Sequence, residues 1–167
     1  SFTFTGNTLA VESTGGNVTI AATGDNLTII DASTMSGGAS VSAKNVVDPD
    51  DDPVKVSVGS EETSGAQPKG LVAAAEGKSV TLDASGNVTV AGQIMSADAP
   101  TITLADDKSF TVSRGGVVQS TAGDVSVKTT GAGRITVDGG GTVQAQAGAI
   151  TLESGGAATV AGTVQAG

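Results

Sequence analysis

The sequence predicts an all-β fold, a parallel β-solenoid with three short strands per coil, on three observations. The first is a period. Apolar–polar–apolar triplets recur through the second half of the chain, and like triplets open at residues 80, 102, 125 and 150, separated by 22, 23 and 25 residues. A period of that size marks a repeat architecture. The second is a likeness at distance three. Val88-Thr89-Val90, Phe110-Thr111-Val112, Ile135-Thr136-Val137 and Ala158-Thr159-Val160 all carry Thr second and Val third. An antiparallel sandwich, the main competing fold, does not require each strand to resemble the third one before it. A coil that stacks each strand on its successor one turn later produces that likeness. The third observation excludes helix: β-branched residues dominate, Gly recurs every few residues, and no segment holds a 3.6-residue apolar period over three turns.

In chain order, Phe2-Thr3-Phe4 and Leu9-Ala10-Val11 read as strands. Val18-Thr19-Ile20, Leu27-Thr28-Ile29 and the weaker Thr34-Met35-Ser36 follow. Val41-Ser42-Ala43 lies 23 residues after Val18 and so shares its phase. Val54-Lys55-Val56-Ser57-Val58 and Leu71-Val72-Ala73 complete that turn. From 41 to 80 is 39 residues, more than one period, and the surplus sits in two inserted loops, 44–53 and 59–70. Both have loop composition, and insertions in solenoids map to corners.

From residue 80 the triplets run in threes. Val80-Thr81-Leu82, Val88-Thr89-Val90 and Ile94-Met95-Ser96 make one coil. Ile102-Thr103-Leu104, Phe110-Thr111-Val112 and Val117-Val118-Gln119 make the next. Val125-Ser126-Val127, Ile135-Thr136-Val137 and Val143-Gln144-Ala145 follow, then Ile150-Thr151-Leu152, Ala158-Thr159-Val160 and Val164-Gln165-Ala166.

Strand alternation turns Val80, Leu82, Val88, Val90, Ile102, Leu104, Phe110, Val112, Ile135, Val137, Ile150, Leu152 and Val160 inward. It turns Thr81, Thr89, Thr103, Thr111, Thr136, Thr151 and Thr159 outward. Gly, Asn, Asp and Ser between the triplets, as in Ser85-Gly86-Asn87 and Gly139-Gly140-Gly141, supply corners. Residues 1–167 are expected to form one solenoid domain of about six to seven coils. One face, defined by Val18, Val41, Val80, Ile102, Val125 and Ile150, has six strands. The faces that open with Phe2 and Leu9 have seven each.

Three segments carry a family resemblance: Ala122-Gly123-Asp124-Val125-Ser126-Val127, Ala147-Gly148-Ala149-Ile150-Thr151-Leu152 and Ala161-Gly162-Thr163-Val164-Gln165-Ala166-Gly167. They are similar to the haemagglutinin-type repeats of large bacterial exoproteins, the filamentous haemagglutinin-like adhesins. The resemblance covers mainly residues 80–167. It implies secretion, a right-handed β-helix and a role as a rigid surface stalk.

Composition narrows function by exclusion. There is no Trp, Tyr, His or Cys among 167 residues, so catalysis by His or Cys and a disulfide framework are both excluded. Net charge is −9, and the 8 Lys and Arg are scattered, which argues against a phosphate-binding surface and nucleic acid. No apolar run approaches membrane-spanning length. The chain starts at Ser1 without Met, which reads as processed or trimmed and leaves room for a removed export signal.

Four sets of residues are weighed as sites. Asp48, Asp50, Asp51 and Asp52 are the densest carboxylate cluster and a candidate weak Ca²⁺ site. The EF-hand spacing fails there, with Gly59 at the twelfth position instead of Glu, so a solvated loop is the competing reading. Asn17, Asn26 and Asn87 each open an Asn-X-Thr sequon, a candidate glycosylation site that is also simply the start of a strand.

Asp106-Asp107, with Lys108 beside them and Arg114 further on, are paired carboxylates of the kind that suits acid/base work on glycosides. The segment has turn composition, and a turn is the favoured reading. The outward Thr form ladders, but Asp83, Arg134, Asp138, Glu153 and Lys128 flank them, against an ice-binding face.

No catalytic residue and no resident cofactor are assigned. Strand-forming Phe2-Thr3-Phe4 and Val164-Gln165-Ala166 carry no polar cap, and exposed strand edges template pairing. The expected function is a non-enzymatic, extracellular structural protein of the cell surface, partnered with itself in a fibre, sheath or layer. The alternative is an adhesin or stalk segment of a larger exoprotein, with host or cell-surface glycans as partners. A polysaccharide-active enzyme is the third reading and the least favoured.

Overall fold

The structure is a computed structural model. It describes residues 80–167 continuously and, before them, residues 2–3, 9–10, 17–23, 27–29, 32–33, 38–44, 56–58 and 71–74. The first strands are β1 (Phe2–Thr3), β2 (Leu9–Ala10), β3 (Asn17–Thr23), β4 (Leu27–Ile29), β5 (Ala32–Ser33), β6 (Gly38–Lys44), β7 (Val56–Val58) and β8 (Leu71–Ala73). The contiguous region then makes about four turns. Its first coil holds β9 (Val80–Ala84), β10 (Val88–Val90) and β11 (Gln93–Ser96). The second holds β12 (Thr101–Leu104), β13 (Phe110–Val112) and β14 (Val117–Ser120). The third holds β15 (Val125–Lys128), β16 (Ile135–Val137) and β17 (Thr142–Ala145), and the fourth β18 (Ile150–Glu153), β19 (Ala158–Val160) and β20 (Thr163–Ala166).

Pairing follows the predicted phase of three. Face one is a six-stranded sheet in the order β18-β15-β12-β9-β6-β3, and face two a seven-stranded sheet from β1 through β4, β7, β10, β13 and β16 to β19. Face three is a five-stranded sheet of β8, β11, β14, β17 and β20, with β2 paired to β5 in the same place in the chain order. Adjacent strands are parallel on every face, as in β13 on β10 and β17 on β14. The fold is therefore a parallel β-solenoid with three strands per coil. At about 4.8 Å per stacked strand the four contiguous coils rise about 19 Å.

The inward assignment holds through the first three coils. Val80, Leu82, Val88, Val90, Ile102, Phe110, Val112, Ile135 and Val137 are wholly buried in one aliphatic core, and Leu104 nearly so. It fails to give burial in the fourth. Ile150 and Leu152 are half-buried, and Val160 is 50% exposed. Parity sets the side a residue faces, but burial needs a coil above as well as below, and among the described residues nothing lies above the fourth coil.

Register also departs from the triplet alignment. Ile102 pairs with Leu82 below and Val127 above, not with Val80 and Val125. Val18 pairs with Ala39, and Val41 with Ile20. Each shift is two residues, which keeps every side chain on its predicted side. The structure describes a strand at Ala32–Ser33, and the expected triplet Thr34-Met35-Ser36 lies outside the described residues. Lys44 belongs to β6, so the first inserted loop begins after it.

Corners absorb the variation in coil length. Between faces one and two the chain runs through 85–87, 105–109, 129–134 and 154–157; between faces two and three, through 91–92, 113–116, 138–141 and 161–162. The third corner is four residues long in each of 97–100, 121–124 and 146–149. Residues 45–55 and 59–70 join β6 to β7 and β7 to β8, which places both insertions at the first two corners. The 113–116 and 138–141 corners are closed by hydrogen bonds from Gly116 N to Ser113 O and from Gly141 N to Asp138 O, both 2.8 Å. Their third residues, Gly115 and Gly140, have φ of 82° and 91°, the positive values that this position of a type II turn requires.

Candidate functional surfaces

Asp106 and Asp107 sit in the 105–109 corner, where the sequence places a turn. Asp107 has φ 62°, a left-handed conformation that Asp adopts more readily than most residues. Its Oδ1 accepts the N–H of Ala132 at 2.6 Å, and Asp106 Oδ1 accepts the hydroxyl of Thr130. Both carboxylates thus hold the corner of the coil above. Asp124 Oδ1 does the same for Ala149 N at 2.7 Å.

This arrangement separates acceptor from acid. Asp107→Asn keeps the oxygen and tolerates φ > 0, so its stability is expected within about 0.5 kcal/mol of the parent. Asp107→Ala loses the acceptor and strains the backbone, a cost of about 2 kcal/mol. Urea titration of the two variants checks the difference.

Asn87 is exposed at the last position of the 85–87 corner, and its Oδ1 accepts the N–H of Ser109 one coil up at 2.9 Å. The sequon Asn is therefore an inter-coil cap. Asn17 is the first residue of β3, the strand start that the sequence also offered for it. Asn26 and the carboxylates Asp48, Asp50, Asp51 and Asp52 lie outside the described residues. Among the described residues no three acidic side chains group as metal ligands, and no helix is long and apolar enough to cross a membrane.

The outward side chains form columns. On face one, Thr81, Thr101, Ser126 and Thr151 stack in register. Beside them run Asp83, Thr103, Lys128 and Glu153, closed by a Lys128–Glu153 ion pair of 2.9 Å between two exposed side chains. Such a pair contributes about 0–1 kcal/mol. The two-residue register shift separates Thr103 from Thr81 and Thr151, which the triplet alignment placed in one ladder. On face two, Thr89, Thr111, Thr136 and Thr159 form a single column.

Face three carries the arrangement that the sequence reading passed over. Met95, Gln119, Gln144 and Gln165 stack in one outward column, and Gln93, Val117, Thr142 and Thr163 in the other. The signal was present as Gln at 119, 144 and 165, one per coil at spacings of 25 and 21. None of the strands β8, β11, β14, β17 and β20 contains a charged residue. Beneath this face Ser120 is wholly buried; its hydroxyl donates to Asp98 O at 3.2 Å and accepts Gly123 N at 3.0 Å. That bracing ties the 121–124 corner to the 97–100 corner beneath it.

Compared with protein-family models, with curated proteins and with solved structures, the chain matches none.

Proposed function

We propose that the chain is an extracellular structural unit of the cell surface, a β-solenoid rod that joins coil on coil into a fibre, sheath or layer. The observation that carries the reading is the fourth coil. Its strands continue the stack in register, while Val160 and Val164 stay 50% and 39% exposed. The upper edges of β18, β19 and β20 have no partner among the described residues. A surface of that kind accepts a further parallel coil of the same pitch.

The second reading differs in what supplies that coil. Supplied by the same polypeptide, it makes the chain a stalk segment of a larger secreted exoprotein that presents an adhesin to host or cell-surface glycans. The likeness to haemagglutinin-type repeats favours this version, and the repeated coil supports it. Both readings assign the rod a spacing role and need no catalytic group.

Electron microscopy of the purified protein at high concentration tests the assembly reading. Fibres or sheets are expected, with an axial repeat of about 4.8 Å in diffraction from oriented specimens. Dispersed single rods at every concentration overturn it.

A further inference from the structure

We propose that face three is the lateral contact between rods, each copy packing this face against face three of a second copy. The inference rests on the assembly reading above and adds which surface meets its like. Four observations converge on it. Its strands hold no charge in a chain of net charge −9, so two copies approach there without strand-borne like charges. The side-chain amides of Gln119, Gln144 and Gln165 make no hydrogen bond to the described residues, yet Gln119 and Gln144 are already half-buried.

They repeat at the strand spacing of about 4.8 Å, a pitch that another stacked β-coil matches along its whole length. Amide ladders of this kind interdigitate well between facing sheets. Lastly, the corner between faces three and one keeps to four residues, so on that side face three is bordered only by a short turn. The carboxylates on that corner, Asp98 and Asp124, are each turned to a backbone N–H, of Ala99 and of Ala149. Faces one and two are less suited. Face one displays Asp83, Lys128 and Glu153, and face two, whose strands β10, β13, β16 and β19 are likewise uncharged, offers only one outward residue per strand.

Size defines the setting. A face four residues wide and five strands tall covers roughly 300 Å². Two copies together hide about half of the 1,200 Å² that marks the lower end of stable complexes. The contact is therefore one that rods make along their length, repeated coil after coil, and not one that holds a lone pair of chains.

The chain has no Cys, so single cysteines report contacts without background. Gln144→Cys, Ser126→Cys and Thr136→Cys place one thiol on faces three, one and two. Each is oxidised mildly at the concentration where rods appear on the grid, with circular dichroism confirming the fold. Gln144→Cys is expected to form covalent dimer at least tenfold faster than the other two, and Gln119→Glu added to it to slow that rate at least tenfold. With rods on the grid, equal rates on the three faces, a faster rate on face one or two, or no Gln144→Cys dimer overturn the proposal alone; a grid without rods overturns it together with the assembly reading. The grid alone judges end-to-end assembly, so the two failures are distinguishable.

Discussion

Val137→Asp is expected to abolish the folded solenoid, while Thr136→Asp, one residue away, leaves it standing. Val137 is wholly buried in β16, with Val112 in register beneath it and Val160 above. Replacing it forfeits the burial of a Val side chain, about 1.5–3 kcal/mol. It also places a carboxyl group among aliphatic side chains, where an unpaired polar group costs at least about 2 kcal/mol more even when it takes up a proton. Together these approach the whole stability of a typical domain, about 5–15 kcal/mol. The loss also spreads, because each coil is held only by its neighbours. Thr136 points outward and is half-buried, so its carboxylate stays in water and the expected change is under about 1 kcal/mol. Urea unfolding followed by circular dichroism measures both. A Val137→Asp chain with the parent's midpoint would show the inward and outward assignment to be wrong.

Gly116→Ala is the second large effect, and Gly139→Ala is its counterpart of opposite sign. A Cβ on Gly116 would meet the carbonyl oxygen of Val90 in the coil beneath, far inside van der Waals contact. That oxygen already accepts the N–H of Ser113 at 2.9 Å, so it cannot retreat without breaking the ladder. Gly141 repeats the situation one coil up, with its Cβ position 2.7 Å from Val112 O. Relieving such overlap requires backbone movement, and a cost of about 3 kcal/mol is expected. At Gly139 nothing lies within 4 Å of the added Cβ, and its φ is not in the left-handed range. Alanine there removes freedom only from the unfolded chain and is expected to stabilise by about 0.5 kcal/mol. Thermal melts of the two variants should move in opposite directions.

The fold was legible because its two rules are written at different scales. Parity within a strand is readable from three residues, as in Phe110-Thr111-Val112, and phase is readable from the recurrence of that triplet near 25 residues. Register was not, because a triplet does not say which of its two apolar residues meets the next coil. Val80 and Leu82 are equivalent to that test, and the structure chose Leu82 for Ile102. The corner residues were readable as turn formers but not as donors and acceptors. Asn87 and Asp107 act on Ser109 and Ala132, 22 and 25 residues away, and only the stacked coil brings them together. The amides of face three were in plain sight in Val143-Gln144-Ala145, but Gln is an ordinary outward residue until three of them stand in register.

The direction of the strand pairing has a mechanical consequence. Inter-coil hydrogen bonds point along the rod, so a pull on the two ends of the polypeptide loads them one coil after another and not all at once. The protein then yields by peeling. Each coil, such as the 25 residues from Phe110 to Ile135, releases about 80 Å of extended chain as a separate step. Squeezed or sheared from the side, the same rod meets many bonds in parallel. A solenoid built this way resists bending and crushing far better than it resists being unwound from a free end.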